Sequence, residues 1–282
     1  MGRFDRVLLV SDLDFTFLGA KGRVVPRNLE ALARFFAEGG KFTIATGRAF
    51  VNAEGAIPGL RQMINAPAIT ANGACLYDAG EDCVLAESLM DFDRGYEVVR
   101  YLRGRYPEIG LRVTTDKGLL TDYVSPLLYI DFKPSKPIAK RVLPLDEWKP
   151  EKWYKVCCRD THEGCEKIRD ALAERYDGVF DTCFSEETIF EFHAKGANKA
   201  AYLGRLRDYY RARGVEPIVF ALGDYENDVE MLEAADVAVC PANALDSVKK
   251  ICDFCLCDHK DGVVADLVEL LEREGVDALI GR

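Results

Sequence analysis

The sequence VLLVSDLDFT, residues 7–16, is the strongest indication of how this 282-residue chain folds. Its first four residues form a continuous aliphatic run, which predicts a strand that is covered on both faces of a sheet. Two carboxylates, Asp12 and Asp14, come where that strand should end. In open α/β sheets, ligands bind beyond the carboxyl ends of such strands. The position of the acidic pair therefore predicts a ligand site, although acidic residues also begin many ordinary turns.

Two later segments repeat this arrangement. Lys41–Ala45 is a short apolar strand followed by TGR at residues 46–48, and Ile218–Leu222 is followed by GDYEND at residues 223–228. Three predicted strands thus end in small, polar or acidic residues. If they lie side by side in parallel, their ends meet in one crevice. Four carboxylates then crowd together there: Asp12, Asp14, Asp224 and Asp228.

Crowded carboxylates need either protons or a cation. Two of them about 4 Å apart repel by roughly 4 kcal/mol at an effective dielectric constant of about 20. Mg²⁺ is a hard ion that accepts carboxylate oxygens, keeps some waters and usually completes its shell with substrate phosphate. The acidic crevice therefore predicts a magnesium ion together with a phosphorylated ligand.

A phosphate group also needs hydrogen-bond donors. The Thr46 hydroxyl and the Gly47 backbone N–H lie at a strand end and supply two. Lys199 opens a helical pattern that continues to Tyr210. A lysine at a helix start opposes the macrodipole unless an anion compensates it. Lys199 is therefore a third candidate, with a solvated surface lysine as the alternative for this residue taken alone.

Four segments resemble, in order and spacing, the motifs of the haloacid dehalogenase superfamily: DLDFT at 12–16, TGR at 46–48, GANK at 196–199 and GDYEND at 223–228. The resemblance is closest to the Cof-type, subclass IIB phosphatases. It runs nearly end to end and includes NGA at 72–74 and PANA at 241–244. One residue departs from the pattern, because this subclass commonly has glycine where this chain has Phe15. The departure bears on the shape of that turn and on the room above the metal.

The resemblance implies a mechanism and a set of site residues. Asp12 would attack phosphorus and form an aspartyl-phosphate. Asp14 would protonate the leaving oxygen and later deprotonate the hydrolytic water. Mg²⁺ would be bound by the Asp12 and Asp224 carboxylates and by the Asp14 backbone carbonyl. Asp228 would orient these groups from the outer shell. The phosphoryl oxygens would be held by the Leu13 N–H, Thr46, Gly47, Lys199 and Asn227.

The order of patterns along the chain indicates a core interrupted by an insertion. Residues 1–82 alternate strands with helical patterns, and this alternation returns after residue 188. Between them, the pattern predicts strands near 127–132 and 153–158, with an irregular loop over 133–150. We predict an α/β fold: a doubly wound, Rossmann-like parallel-sheet core at 1–82 and 189–282, with an inserted α+β cap domain at 83–188.

Charge and the N-terminal residues bear on partners and location. The chain has 47 acidic and 37 basic residues, a net charge of -10, which disfavours nucleic acid as a partner. The first residues carry no long apolar segment, and the run at 7–10 is too short to cross a bilayer. We expect a cytoplasmic protein that contacts no membrane and takes a small phosphorylated metabolite as its partner.

Ten cysteines without an export signal are expected to be reduced thiols that pack as small apolar groups. One group requires separate consideration as a zinc site. It holds enough soft ligands, but its spacing does not match paired zinc knuckles, and apolar residues alternate with the thiols as in a strand. We therefore expect packing rather than zinc binding from this group: Cys252, Cys255, Cys257 and His259.

The predicted function is a magnesium-dependent phosphatase that hydrolyses a small phosphorylated metabolite, with sugar phosphates as the first class. Phosphomutase activity on hexose phosphates and a phosphorylated cofactor as substrate stay open. A non-enzymatic phospho-acceptor or metabolite sensor is an alternative, because receiver domains gather similar groups, but those are single compact domains. A glycosyltransferase that uses Asp-x-Asp leaves Lys199 and residues 223–228 without a role.

Overall fold

The computed structural model describes residues 2–280 and contains three β-sheets. The strands are β1 (Val7–Ser11), β2 (Lys41–Ile44), β3 (Ala68–Thr70), β4 (Cys75–Asp78), β5 (Cys83–Glu87), β6 (Gly110–Thr115), β7 (Gly118–Thr121), β8 (Lys140–Val142), β9 (Trp153–Arg159), β10 (Phe180–Glu186), β11 (Ile189–Ala194), β12 (Ile218–Leu222), β13 (Val237–Pro241) and β14 (Phe254–Leu256). The helices are α1 (Pro26–Ala37), α2 (Phe50–Ala56), α3 (Leu60–Met63), α4 (Phe92–Arg105), α5 (Tyr129–Phe132), α6 (His162–Tyr176), α7 (Lys199–Arg211), α8 (Val229–Glu233), α9 (Asp246–Lys249) and α10 (Val263–Glu274). Each helix of residues 2–280 is too short or too polar to cross a membrane.

A five-stranded parallel sheet has the order β14-β13-β12-β1-β2. Successive side chains of a strand point to opposite faces. Val7 and Leu9 of β1 pack in the cluster that contains α1 and α10, whereas Leu8 and Val10 pack with α7 and α8. Because helices cover both faces, the first four positions of β1, Val7–Val10, are all apolar. The predicted doubly wound α/β fold is confirmed.

The register of this sheet aligns the strand ends that carry the motifs. Ser11 pairs with Leu222 of β12 and with Ile44 of β2. One residue further, the Asp12 N–H donates to the Leu222 carbonyl at 2.8 Å. The carboxyl ends of β1, β2 and β12 therefore meet at one edge, as the sequence predicts.

A six-stranded sheet, which we name the cap sheet, has the order β10-β11-β9-β6-β7-β8 and is antiparallel except between β7 and β8. Its apolar face packs on α4 and α6, for example through Val113 and Val156. The opposite face is polar, because Arg112, Thr114 and Lys155 occupy the alternate positions. These polar residues line the same pocket as Asp12 and therefore face the edge of the parallel sheet.

Strand pairing bears on the predicted domain boundaries. β5, which the sequence analysis placed in the cap, pairs with β4, and the β3-β4-β5 sheet is bridged to the parallel sheet between Ala45 and Ile69. β11, which was placed in the core, pairs with β9 and β10. The division into core and cap stays a proposal, and strand pairing moves its two junctions to the chain after Glu87 and after Ala194. Residues 281 and 282 of the predicted core lie outside the described residues.

Two local predictions inside the insertion were wrong. Residues 127–132 do not form a strand but lead into the helical turn α5. Leu128 and Phe132 are four residues apart and pack together with Leu119, which is helical rather than strand spacing. The segment 133–150 is not wholly irregular, because it contains β8, which pairs in parallel with β7.

Candidate active site

An acidic centre lies at the carboxyl ends of β1 and β12. Asp12, Asp224 and Asp228 each present a carboxylate oxygen, and these oxygens lie within 4.8 Å of one another. Nζ of Lys199 lies 2.6 Å from Oδ1 of Asp12 and 2.6 Å from Oδ1 of Asp228. Lys199 is only 1% exposed, so the alternative of a solvated surface lysine was wrong.

The position of Lys199 follows from the packing at the start of α7. Asn198 caps this helix, because its side-chain oxygen accepts a hydrogen bond from the Ala201 N–H at 2.7 Å. Gly73 has a φ of +84° and lies directly against the Asn198 carbonyl, where a Cβ atom would overlap the backbone. Glycine meets both requirements without strain. The turn that contains Gly73 therefore packs onto the helix end and fixes Lys199.

Burial and neighbouring charges shift the pKa values of the centre. Burial raises the pKa of Asp12 well above its usual range, with Lys199 opposing the shift and Asp228 and Asp224 adding to it. Burial and the neighbouring Asp228 raise the pKa of Asp224 to about 7. Burial alone would lower the pKa of Lys199, but Asp12 and Asp228 outweigh it, so that the pKa is raised. Three carboxylates around one ammonium group leave an excess of negative charge, which favours a further cation.

The oxygen donors of the centre fit Mg²⁺. Oδ1 of Asp224 accepts a hydrogen bond from the Thr16 hydroxyl at 2.6 Å. The second oxygens of Asp12 and Asp224 accept no hydrogen bond from any group in residues 2–280. Both oxygens of Asp228 are occupied, one by the lysine and one by the N–H groups of Asp224 and Tyr225 at 3.0 and 3.3 Å. Free oxygens on Asp12 and Asp224 suit direct ligation, whereas the saturated Asp228 suits orientation.

Asp14 lies outside the close carboxylate trio and faces the pocket. Its two oxygens accept hydrogen bonds from Arg48, at 2.9 Å from Nε and 2.7 Å from Nη2. The Arg48 N–H in turn donates to the Thr46 hydroxyl at 3.2 Å. The sequence alone indicated no role for Arg48, the last residue of the TGR motif. The pairing could not be read from the sequence, because it depends on how two strand ends are placed.

Phe15 adopts a φ of +61°, in the left-handed region that glycine adopts without strain. The backbone of the turn therefore keeps a shape that suits glycine, and the side chain changes the wall of the pocket instead. Phe15 is 54% exposed, and its ring lies edge-on to that of His259 with ring centres 5.7 Å apart. The Phe15 carbonyl accepts a hydrogen bond from the Asn243 amide at 2.9 Å.

The cysteine group near the C-terminus is not gathered around a common point. The buried His259 donates through Nδ1 to the Leu18 carbonyl at 2.6 Å. Cys255 is exposed on β14, and Cys252 and Cys257 are half-buried. Within residues 2–280, the only group of three close metal-ligating atoms is the acidic trio. Packing rather than zinc binding stays a prediction for these residues.

The residues predicted to hold phosphate surround the acidic centre, but only some of them reach the pocket. Gly47 and Asn227 line it, whereas three others lie buried beneath it: Leu13, Thr46 and Lys199. The Leu13 side chain packs in the core, so this residue can serve the pocket only through its backbone. The Asn227 amide donates to Asn72 at 3.2 Å, a contact that the sequence analysis did not anticipate.

A buried ion pair of the cap sheet reaches these core loops. Nζ of Lys155 lies 2.6 Å from Oε2 of Glu191, and each side chain is 2% exposed. Glu191 also accepts hydrogen bonds from the Asn72 amide and from the Cys157 thiol. A Cβ atom on Gly47 would lie 3.1 Å from Nζ of Lys155. The signal that could have found this pair is a charged residue of opposite sign in the middle of each of two largely apolar strands, Lys155 in β9 and Glu191 in β11.

A pocket of about 800 Å³ separates the acidic centre from the cap sheet. This volume is in the range of pockets that enclose small metabolites. Ile130 and Ile138, from the segment between β7 and β9, form an apolar part of the lining. The charged lining comes from both sheets, with Asp12, Asp14 and Asp224 on the core side and Arg112, Lys155 and Arg159 on the cap side.

Comparisons with known proteins agree over nearly the whole chain. The family model described as haloacid dehalogenase-like hydrolase matches residues 9–268. The chain is 28% identical over 246 residues to the HMP-PP phosphatase of Yersinia enterocolitica, and the match covers 86% of each chain. It is 26% identical to the 5-amino-6-(5-phospho-D-ribitylamino)uracil phosphatase of Bacillus subtilis, over 92% of this chain and 96% of the relative. A solved haloacid dehalogenase-like hydrolase from B. subtilis has the same fold, with a TM-score of 0.80, 24% identity, and coverage of 94% of this chain and 99% of the other.

Proposed function

Because the chain belongs to the haloacid dehalogenase-like hydrolase family, we propose that it is a magnesium-dependent phosphatase that hydrolyses a small phosphorylated metabolite through an aspartyl-phosphate. The predicted family, its Cof-type subclass and the class of phosphoric monoester hydrolase are confirmed. The metal, the roles of individual residues and the substrate belong to the proposal. The cytoplasmic location and the lack of a nucleic-acid partner stay predictions.

One observation carries the proposal. A nucleophilic carboxylate, Asp12, lies in a buried acidic centre beside Lys199, at the base of a pocket that the cap sheet closes from the other side. Phosphoryl transfer depends mainly on positioning and on neutralising the charge of the phosphoryl oxygens. A buried lysine beside carboxylate oxygens that accept no hydrogen bond provides both a fixed position and positive charge. This arrangement fits phosphoryl transfer better than a purely structural ion pair.

In the first step, an oxygen of Asp12 attacks phosphorus while the bond from phosphorus to the leaving-group oxygen breaks. For this step, one oxygen of Asp14 carries a proton in place of a hydrogen bond from Arg48. Asp14 gives that proton to the leaving oxygen, so that the product departs as a neutral alcohol. Lys199 neutralises the charge of the Asp12 carboxylate in the free enzyme. During transfer it neutralises the negative charge of the phosphoryl oxygens. Backbone N–H groups at Leu13 and Gly47 and the Asn227 amide hold the phosphoryl oxygens.

In the second step, water attacks the phosphorus of the aspartyl-phosphate and the bond to Asp12 breaks. Asp14, now ionised, takes the proton of that water, and inorganic phosphate leaves with Asp12 regenerated. Mg²⁺, held by the Asp12 and Asp224 carboxylates and the Asp14 carbonyl, would supply positive charge to the phosphoryl oxygens. Asp228 keeps Lys199 and the backbone around Asp224 in place.

The substrate class follows from the pocket, and sugar phosphates are our first choice. The cap side offers charged and hydroxyl groups such as Arg112, Thr114 and Glu191, which suit a polar leaving group. Apolar side chains from several elements also line the pocket, among them Phe15, Ile130 and Ile138. A small polyhydroxylated alcohol can hydrogen-bond to the polar groups while its carbon skeleton contacts the apolar ones.

A steady-state assay with p-nitrophenyl phosphate and a panel of phosphorylated metabolites, scored by released phosphate, tests the proposal. A phosphatase turns over many times in the presence of Mg²⁺. A phosphomutase moves the phosphoryl group with little release, and a sensor is labelled once at most. Absence of phosphate release from every compound would contradict the proposed function.

A further inference from the structure

Two arginines lie side by side on the polar face of the cap sheet. In the pairing of β6 with β9, Arg112 lies opposite Cys157, and Arg159 lies opposite Gly110. The two arginines are therefore diagonal neighbours on one face, with Cα atoms about 7–8 Å apart in such an arrangement. Both line the pocket that contains Asp12.

Most hydrogen-bond donors of these arginines are unclaimed by the protein. A guanidinium group has five N–H donors. Arg112 donates to Asp131 at 3.2 Å and to Thr114 at 3.5 Å. Arg159 donates no hydrogen bond to any group in residues 2–280, and its nearest carboxylate, on Glu186, is 3.9 Å away. The arginine side chains are only 14% and 20% exposed, and both line the pocket, so the unclaimed donors are available to a ligand there.

The nearby acids balance this positive charge only in part. Asp131 is shared, because Lys136 approaches its other oxygen to 3.0 Å. One carboxylate therefore serves two cations. The charge of Glu191 also acts on Arg112, but this glutamate is paired with Lys155 at 2.6 Å. Burial raises the pKa of Glu186, with Arg159 opposing the shift and Asp14 adding to it, so Glu186 gives up its charge more readily than an exposed glutamate. An anion between the two guanidinium groups would complete the charge balance.

We infer that Arg112 and Arg159 form an anion subsite for the leaving group, so that preferred substrates are phosphomonoesters whose leaving group carries a second carboxylate or phosphate. The inference rests on the proposed function, because the scissile phosphate must occupy the Asp12 end of the same pocket. Guanidinium groups bind carboxylates and phosphates through paired N–H donors in a fixed plane. This subsite determines which esters are hydrolysed and takes no part in the bond-breaking step.

The test compares matched esters in the intact protein. Glucose 6-phosphate has an uncharged leaving group, 6-phosphogluconate adds a carboxylate, and glucose 1,6-bisphosphate adds a second phosphate. We expect kcat/KM for at least one anionic ester to exceed that for glucose 6-phosphate by tenfold or more, on the order expected for one charged hydrogen-bonded contact. The two anionic esters show which of the two groups the subsite takes.

Variants of Arg159 test whether the preference for anionic esters arises from this subsite. Arg159→Met should bring the ratio of kcat/KM between the anionic and the neutral ester close to one, mainly through KM of the anionic ester. Arg159→Lys keeps the charge but loses the planar fork, so it should retain part of the ratio. Arg169→Met is the matched control, because Arg169 lies on α6 outside the pocket with 42% of its side chain exposed, and all three esters should behave as with the wild type.

The outcomes separate this inference from the proposed function. If the wild type hydrolyses p-nitrophenyl phosphate but does not prefer either anionic ester, the subsite is overturned and the phosphatase stands. The same holds if a preference exists and Arg159→Met leaves it unchanged. If no ester releases phosphate, the proposed function fails and the subsite with it. If Arg159→Met does not fold, the test uses the wild type and Arg159→Lys. An unchanged ratio of kcat/KM between the anionic and the neutral ester in Arg159→Lys would contradict a paired guanidinium contact with the anion.

Discussion

Arg48 holds the Asp14 carboxylate at both oxygens, through hydrogen bonds of 2.9 Å from Nε and 2.7 Å from Nη2. A guanidinium that binds both oxygens fixes the rotation of the carboxylate as well as its position. In the proposed mechanism, Asp14 gives and later takes a proton at defined points, so its direction matters. Arg48, which follows β2, is therefore a positioning residue for Asp14, which follows β1.

Arg48→Met should lower kcat more for a poor leaving group than for a good one. General acid catalysis contributes about 10²–10⁴-fold, and a misdirected Asp14 loses part of it. We expect kcat to fall about 30-fold or more with a sugar phosphate, and clearly less with p-nitrophenyl phosphate, whose leaving group needs little protonation. Arg48→Lys should lie between Arg48→Met and the wild type. If kcat/KM instead falls equally for both substrates because KM rises, Arg48 acts in phosphate binding.

Asp12→Asn should abolish turnover and keep the fold. The amide cannot act as the nucleophile, whereas its size and shape remain those of aspartate. We expect kcat to fall by at least about 10³-fold, which corresponds to about 4 kcal/mol of transition-state stabilisation. The control is Asp170→Asn, because Asp170 is 70% exposed on α6 and should leave kcat unchanged. A folded Asp12→Asn protein with more than about a tenth of wild-type kcat would remove Asp12 from the nucleophilic role.

Removal of divalent metal should stop activity and lower thermal stability. The excess negative charge of Asp12, Asp224 and Asp228 favours a cation, and a ligand that binds only the native state raises the melting temperature with its concentration. Added Mg²⁺ should restore both properties in protein treated with chelator. Ca²⁺ should raise the melting temperature but support the reaction poorly, because its larger and looser shell misplaces the attacking carboxylate. Full activity in excess chelator would contradict the metal site.

The core and its acidic residues were predictable from the sequence because each signal was local. An apolar run such as 7–10 must be covered on both faces, and the residue after it must lie at a sheet edge. The grouping of Asp12 with Asp224 then followed from the parallel order of the strands. Lys199 was a candidate from its position at a helix start, but only the resemblance to a family distinguished it from a surface lysine, since its burial depends on how Gly73 packs on α7.

The cap contributions were not predictable in the same way. Lys155 and Glu191 lie on different strands, and their contact depends on the register between β9 and β11. Register is set by pairing across the sheet and not by the local sequence. The placement of β5 and β11 relative to the proposed domain boundaries depends on the same information, because each resembles any short strand until its partners are known. Arg112 and Arg159 became a pair only through the register between β6 and β9.

The Lys155–Glu191 pair should contribute to acid sensitivity. Burial alone would raise the pKa of Glu191, but Lys155 and Arg112 outweigh it and hold the pKa below its usual 4.5. A carboxyl with a lower pKa in the folded state contributes stability that is fully present above pH 4.5 and lost as the pH falls through the folded pKa. Replacing both partners, by Lys155→Met with Glu191→Gln, should therefore flatten the fall in melting temperature on acidification.

The single variant Glu191→Gln is the matched comparison for that pair. It leaves a buried lysine without its counter-charge, which costs about 3–5 kcal/mol, whereas replacing both partners is often close to neutral. At neutral pH we expect Glu191→Gln to melt well below the double variant. If the double variant and the wild type lose melting temperature in parallel between about pH 5 and pH 3, Glu191 is not a source of the acid sensitivity.

Two substitutions of Phe15 distinguish the effect of backbone strain from that of side-chain packing. At its φ of +61°, a residue with a Cβ atom is strained by about 1–2 kcal/mol, whereas glycine is not. Phe15→Ala removes the ring and keeps the strain, and Phe15→Gly removes both. We therefore expect Phe15→Gly to be more stable than Phe15→Ala by about 1 kcal/mol, or about 2–4 °C in melting temperature.

A glycine within a regular helix provides the control for the Phe15 variants, because alanine should be more stable than glycine there. Gly204 lies in the interior of α7, and a Cβ atom there would meet no other atom within 4 Å. Gly204→Ala should raise the stability by roughly 1 kcal/mol, because alanine favours the helix. If alanine is the more stable residue at position 15 as well, the turn relaxes to negative φ without cost. The preference for glycine after the second aspartate would then reflect room above the acidic centre, and the kcat of Phe15→Gly and Phe15→Ala, which both lack the ring, should rise together.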